Sequence, residues 1–499
     1  MTMKPFSMIA LGWPMFLLCG LLIRPLRKWL PRLLWLAPLP AFILVFFEDV
    51  GAPVTLLLGA AAALWSIGGW AVPSYFPGGR PGVGFIACWL LTLTGSLGVF
   101  LVEDRVGFLV FYALVSLPAY GLVVSEGTPP ARRAGRIYLG FAILGENLLL
   151  AAFVILSRGV MPLPPIAAAL LIAGFGAKIA LLPLHFWMPL SYTAAPIPAA
   201  AVLSGAAVKA GIIGLLRFLP METTPVMWGG LLVTVGFCGA FYGVAVGLTQ
   251  CHPKTILAYS SVSQMGFLAA IIGMGVATHD GSVATLAAFY GAHHVLAKGA
   301  LFLAVGACAA RLSLTVAPAA LIGLGLAGLP LTGGALAKLA VKAPFGYGPA
   351  ATLASLSAAG TALLMTHFLF RLADARKNPA VSSGGGLAPW LLGAVACIAF
   401  PWVALSMTGL SWSDVVAPVA LWKTLWPVLL GGTVGVFLQR IRIPKIPAGD
   451  ILALATPAVR AAQGAARALG HLDTTLRHWP VACGALLVIV LALLFAAWL

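Results

Sequence analysis

Apolar segments of roughly 20 residues recur along almost the whole of this 499-residue chain, separated by short loops. A hydrocarbon core about 30 Å thick needs about 20 apolar residues for each helical crossing. The alternating ten-residue pattern of a barrel is missing, so the crossings read as helices, which satisfy their backbone groups internally. Charged residues make up 8% of the chain, against about 25% in an ordinary soluble domain. A soluble globular fold is excluded, and the fold class is all-α, polytopic and membrane-embedded.

About 16 transmembrane helices are expected (14–16), the second short, the seventh (162–189) and twelfth (316–345) long and interrupted by proline or glycine. The first apolar run, near Phe6–Ile23, lacks a small-residue cleavage site and reads as a span rather than a removed signal peptide. Between 449 and 478 the chain is too polar to cross. Arg460, Gln463, Arg467, His471 and Thr474 there form one helical stripe, predicting a short amphipathic helix on the cytoplasmic surface. It is either a surface linker or a brace against a neighbouring subunit. The final span is 480–499.

The net charge of +17 invites a nucleic-acid reading. Placement argues against it: the basic residues lie in short loops, without a basic helix or an aromatic-interleaved patch. With the N-terminus outside, nineteen of the 29 Lys and Arg fall on the inner side and five outside. That bias predicts both termini in the periplasm of a bacterial inner-membrane protein. The seven cysteines are scattered without pairs, so neither a disulfide framework nor a metal site is indicated, and no cofactor motif is visible.

Five lysines remain within or at the ends of spans: Lys178, Lys209, Lys298, Lys338 and Lys342. Among the acids only Glu146 is mid-span. Each such charge costs about 2.5–3.5 kcal/mol even on lenient insertion scales, and is tolerable when it faces a hydrated path and other charged groups. Lys178 precedes the break at Pro183, and Lys338 follows the break opened by Gly328-Leu-Pro330. Two interrupted helices, each with a buried lysine beside irregular backbone, mark a transporter built from related halves. Desolvation disfavours a charged amine, so such a lysine can load and release a proton as its neighbours change charge. His294 lies four residues before Lys298, on one helix face, and favours a relay pair; His293 and His294 could instead be packing histidines. His185, by the first break, reads as an entrance group or a structural cap. Lys342 reads as an accessory group or a snorkelling lysine, and His367 as a headgroup contact.

These residues resemble a known family. Lys178-Ile-Ala-Leu-Leu-Pro183-Leu-His185-Phe-Trp187-Met-Pro189, Leu203-Ser204-Gly205 to Lys209, Lys254-Thr-Ile-Leu-Ala-Tyr259 to Gln264-Met-Gly266, His294-x-x-x-Lys298 and Gly328-Leu-Pro330 to Lys338 follow in order over roughly 80–345. They resemble the antiporter-like subunits of respiratory complex I, of Mrp-type cation/proton antiporters and of energy-converting membrane hydrogenases. The resemblance implies two inverted five-helix repeats with broken helices, approximately 103–218 and 226–372. These would be flanked by N-terminal helices (1–102) and C-terminal helices (387–438). It also implies a lysine axis: Lys178 as the amine paired with an acid, Lys209 next, His294 and Lys298 in the middle, Lys338 at the output end. The family places a Trp-Glu pair in span five, where Tyr112-Ala113 stands here before Ser116-Leu117-Pro118. Glu146, in span six, is expected to take over the carboxylate role.

The expected function is a proton- or cation-translocating subunit of a multisubunit membrane complex, either redox-driven or an antiporter assembly. It would have no redox site of its own, work beside other membrane subunits, and bind no nucleic acid. Alternatives are an energy-coupling subunit of an inorganic-carbon uptake complex, or a non-conducting scaffold whose axis is broken at Ala113.

Overall fold

The computed structural model describes residues 5–159, 163–310, 312–375, 386–441 and 443–449, with Gly464, Arg467 and Thr474. Every regular element among them is helical. The chain opens with α1 (Pro5–Cys19), α2 (Leu30–Leu33), α3 (Leu39–Phe47), α4 (Ala52–Tyr75) and α5 (Val83–Leu101). There follow α6 (Arg105–Val124), α7 (Pro129–Leu156), α8 (Pro165–Ile179), α9 (Trp187–Ala194), α10 (Ile197–Val202) and α11 (Lys209–Phe218). Next come α12 (Val226–Leu248), α13 (Pro253–Thr278), α14 (Val283–Ala310), α15 (Leu312–Ala327) and α16 (Gly333–Ala340). The last are α17 (Pro349–Ala375), α18 (Leu387–Val403), α19 (Trp412–Val416) and α20 (Pro418–Leu438).

Twelve stretches among the described residues are long and apolar enough to cross a membrane, and three shorter apolar helices accompany them: α8, residues Leu314–Ala327 of α15, and α18. All fifteen fall where the sequence predicts apolar spans, with twelve of them long enough to cross. The sixteenth, 480–499, lies outside the described residues. Of the expected surface stripe only Arg467 and Thr474 are described, both helical and exposed.

α13 and α14 form the buried centre, whereas α7 and α20 turn most of their surface outward. Small residues let backbones approach closely. Where α12 meets α13, a Cβ on Gly236 would stand 2.6 Å from the Gly266 carbonyl oxygen, so any side chain there would push the helices apart. Arg217 is half-buried and ties α11 to α5. Its guanidinium donates to the carbonyls of Val99, Phe100 and Val102, which are left open at the end of α5.

Two helices stop inside the bundle. α8 ends at Ala180, which has left-handed φ (56°), and Leu181 N donates back five residues to the Gly176 carbonyl at 2.8 Å. α15 ends at Gly328 (φ 109°), and Leu329 N donates back five residues to the Leu324 carbonyl at 2.9 Å. The i→i−5 bond is the closure of a Schellman-type terminus. After each break a short helix follows, α9 and α16. A third irregularity is the π-turn at Leu203–Ala207, directly ahead of Lys209.

Candidate functional site

Lys178 lies in the last turn of α8, where a cation suits the negative helix end. Its Nζ donates to Ser116 Oγ at 2.8 Å and reaches Tyr138 Oη at 3.5 Å, and it lies over the Tyr112 ring at 5.6 Å. Tyr138 in turn donates to the Ser116 carbonyl. Glu146 is half-buried on α7, within electrostatic reach of Lys178 and hydrogen-bonded to the Ser116 side chain, and its Oε1 has no hydrogen-bond partner among the described residues. The amine therefore meets Ser116 directly and the carboxylate at one remove. Sequence reasoning paired Lys178 with Glu146 but missed Ser116, Tyr112 and Tyr138. The available signal was a run of polar groups in otherwise apolar spans.

Lys209, His294 and Lys298 are completely buried at the centre. Lys209 Nζ lies 2.9 Å from His294 Nδ1, a hydrogen bond whose direction follows the imidazole tautomer, and also donates to the Gly205 carbonyl inside the π-turn. Lys298 Nζ donates to the Leu257 carbonyl at 3.0 Å, and His294 lies within electrostatic reach of both lysines. His294 Nε2 has no protein partner. Between Lys178 and Lys209 the link is helix contact rather than a hydrogen bond: Gly211 of α11 packs against the Lys178 Cβ.

The adjacent histidines of α14 face different ways. His294 turns to Lys209, while His293 faces the second break, where its ring packs on Gly333 and Gly334. It lies within electrostatic reach of Lys338 and 4.0 Å from Cys397 Sγ on α18. Lys338, in the last turn of α16, has no hydrogen-bond partner among the described residues for its Nζ, which lies over the Phe267 ring at 5.1 Å and the Tyr290 ring at 5.9 Å. Tyr290 donates to Gln264, whose Nε2 donates to Thr361 at 3.0 Å, so a neutral polar chain runs beside the amine.

The other sequence-predicted groups lie as follows. His185 is fully buried beside the first break, edge-on to Tyr242 at 4.8 Å. Lys342 lines an open cleft with Lys338. His367 does not face headgroups: it is buried, its Nε2 meeting the Gln250 carbonyl at 2.8 Å and Gln439 reaching its Nδ1, because α20 and the end of α12 cover it. Lys254 is buried and donates to the Ala195 carbonyl at 2.7 Å, sealing the end of α9. Among the described residues no three His, Cys, Asp or Glu side chains converge where a metal ion could be held.

The chain is similar to known membrane proteins. Component B of hydrogenase-4 from Escherichia coli (strain K12) is 31% identical over 245 residues, 44% of this chain and 36% of that protein. A Na(+)/H(+) antiporter subunit from Alkalihalophilus pseudofirmus is 27% identical over 242 residues, 45% of this chain and 48% of that one. The chain thus spans less than half the length of these two relatives. Among solved structures, a chain of the Mrp complex from Dietzia sp. shares the fold with a TM-score of 0.75 at 21% identity, over 98% of this chain and 62% of that one. The family model for the transmembrane part of NADH:quinone oxidoreductase and Mrp antiporter subunits matches residues 103–363, just over half of the sequence. The chain belongs to that family.

Proposed function

We propose that this protein is an ion-translocating, antiporter-like subunit of a larger membrane complex, and that protons move along a line from Glu146 to Lys338. The observation that carries this reading is the fully buried contact between Lys209 and His294, with Lys298 beside it. Two amines and an imidazole gathered in a helical core are costly unless they are used. Glu146 stands in for the carboxylate that the family carries at the position of Ala113, and shares a proton with Lys178 through Ser116. Lys209 and Lys298 exchange charge through His294. His293 hands it on to Lys338. Among the described residues, the buried polar atoms without a partner include Glu146 Oε1, His294 Nε2 and Lys338 Nζ, and such groups call for water or an ion. The similar closures of the two breaks support related halves, approximately 103–218 and 226–372, with the first half inverted relative to the second. Both termini are proposed to face the periplasm.

The test is ion flux in proteoliposomes holding the assembled complex, followed with a pH-sensitive dye with and without sodium. Lys209→Ala and Lys298→Ala are each expected to lower flux by at least about tenfold, a barrier increase of one proton-transfer step. Undiminished flux in both variants would turn the assignment towards a scaffold. Flux that depends on sodium but leaves the dye unmoved would make the ion a metal cation.

A further inference from the structure

The cleft at Lys338 contains more positive charge than a proton path requires. It is open to the outside, and Lys338, Lys342 and Lys423 all line it. No acidic side chain is among the described residues of its wall, which is otherwise largely apolar: Phe267, Val341, Phe345 and Pro427. Lys342 and Lys423 lie close enough to repel each other. Three amines around one open space, without an internal counter-charge, leave a demand for an anion.

The depth of the cleft narrows the anion. Lys342 directly follows α16 and Lys423 lies in the second turn of α20, so the mouth opens where helices begin and end. Exposed aromatic residues cluster at the same end: Trp422 beside Lys423 is 61% exposed, and Tyr347, two residues past Phe345, is 100% exposed. Tyrosine and tryptophan at helix ends mark the headgroup level of a bilayer. A soluble anion needs the amines alone. A wall of Phe345, Val341 and Pro427 beneath a cationic mouth matches an amphiphile.

We propose that this cleft binds an anionic phospholipid, its phosphate between Lys342 and Lys423 and one acyl chain against Phe345, Val341 and Pro427. Juxtamembrane lysines each contribute about 1 kcal/mol to binding an anionic lipid surface. The bound phosphate also brings a negative charge towards Lys338, whose Nζ has no hydrogen-bond partner among the described residues. The site is a matter of binding, and its test is independent of the transport reading.

The experiment is native mass spectrometry of the purified full chain in detergent, with phosphatidylglycerol or phosphatidylcholine added. The wild type is expected to retain phosphatidylglycerol in preference, and Lys342→Ala/Lys423→Ala to retain about thirty-fold less, the effect of two lost amines. Lys342→Arg/Lys423→Arg keeps the charge and is expected to keep the lipid. Equal retention by wild type and the alanine variant would overturn the proposal. So would displacement of the lipid by millimolar inorganic phosphate, which would assign the amines to a free anion. If the alanine variant fails to stay monodisperse, the arginine variant and the phosphate competition on wild type still decide it.

Discussion

At the first break α8 closes through Leu181 N onto Gly176, and at the second α15 closes through Leu329 N onto Leu324, by the same i→i−5 bond. Around this shared backbone the side chains differ. Lys178 precedes its break and meets a hydroxyl, two phenol rings and, one step away, the Glu146 carboxylate. Lys338 follows its break and meets two ring faces, with Lys342 and Lys423 across a cleft. A compensated amine holds its proton; an amine among other amines gives it up more readily. We propose on this contrast that the first break loads the proton and the second releases it.

The sharpest way to break that contrast is to remove the compensation at the first break. Glu146→Gln leaves Lys178 without its acid, and stranding a buried charge costs about 3–5 kcal/mol. Flux should fall by about a hundredfold or more, and Ala113→Glu added to Glu146→Gln should restore part of it. Unchanged flux in Glu146→Gln would remove the distinction between the two breaks. Next in size is the backbone of the second break. A Cβ at Gly334 would stand 1.7 Å from the Gly325 carbonyl oxygen, so Gly334→Ala should lower thermal stability by about 1–3 kcal/mol, the range for overpacking. Tolerance of alanine there would mean that α15 and α16 are packed more loosely. Smallest is the difference at the turns themselves. Ala180 carries the left-handed conformation that Gly328 carries in the second break. Ala180→Gly should therefore be stabilising by up to about 1 kcal/mol, and Gly328→Ala destabilising by a similar amount, in matched melting curves.

Much of this was legible in the sequence, for a physical reason. In a chain with 8% charged residues, a lysine inside an apolar run stands out, and proline or glycine in a long span signals a break. Side-chain pairing was harder to read, because partners come from helices far apart in sequence. Ser116 lies 62 residues from Lys178, and Cys397, outside the family match, lies 104 residues from His293. In the sequence, His367 also read as a headgroup contact, and Lys254 and Arg217 were assigned no partners. Each is long enough, or close enough to a helix end, to turn inward onto carbonyls left open there.

The proposed function requires a continuous polar seam from Lys178 through Lys209, His294 and Lys298 to His293 and Lys338. A high-resolution electron cryomicroscopy map of the chain in lipid tests that seam directly. Ordered water joining Lys178 to Lys209, and Lys298 to Lys338 past His293, is the predicted result. A dry apolar septum separating these amines from one another would contradict it.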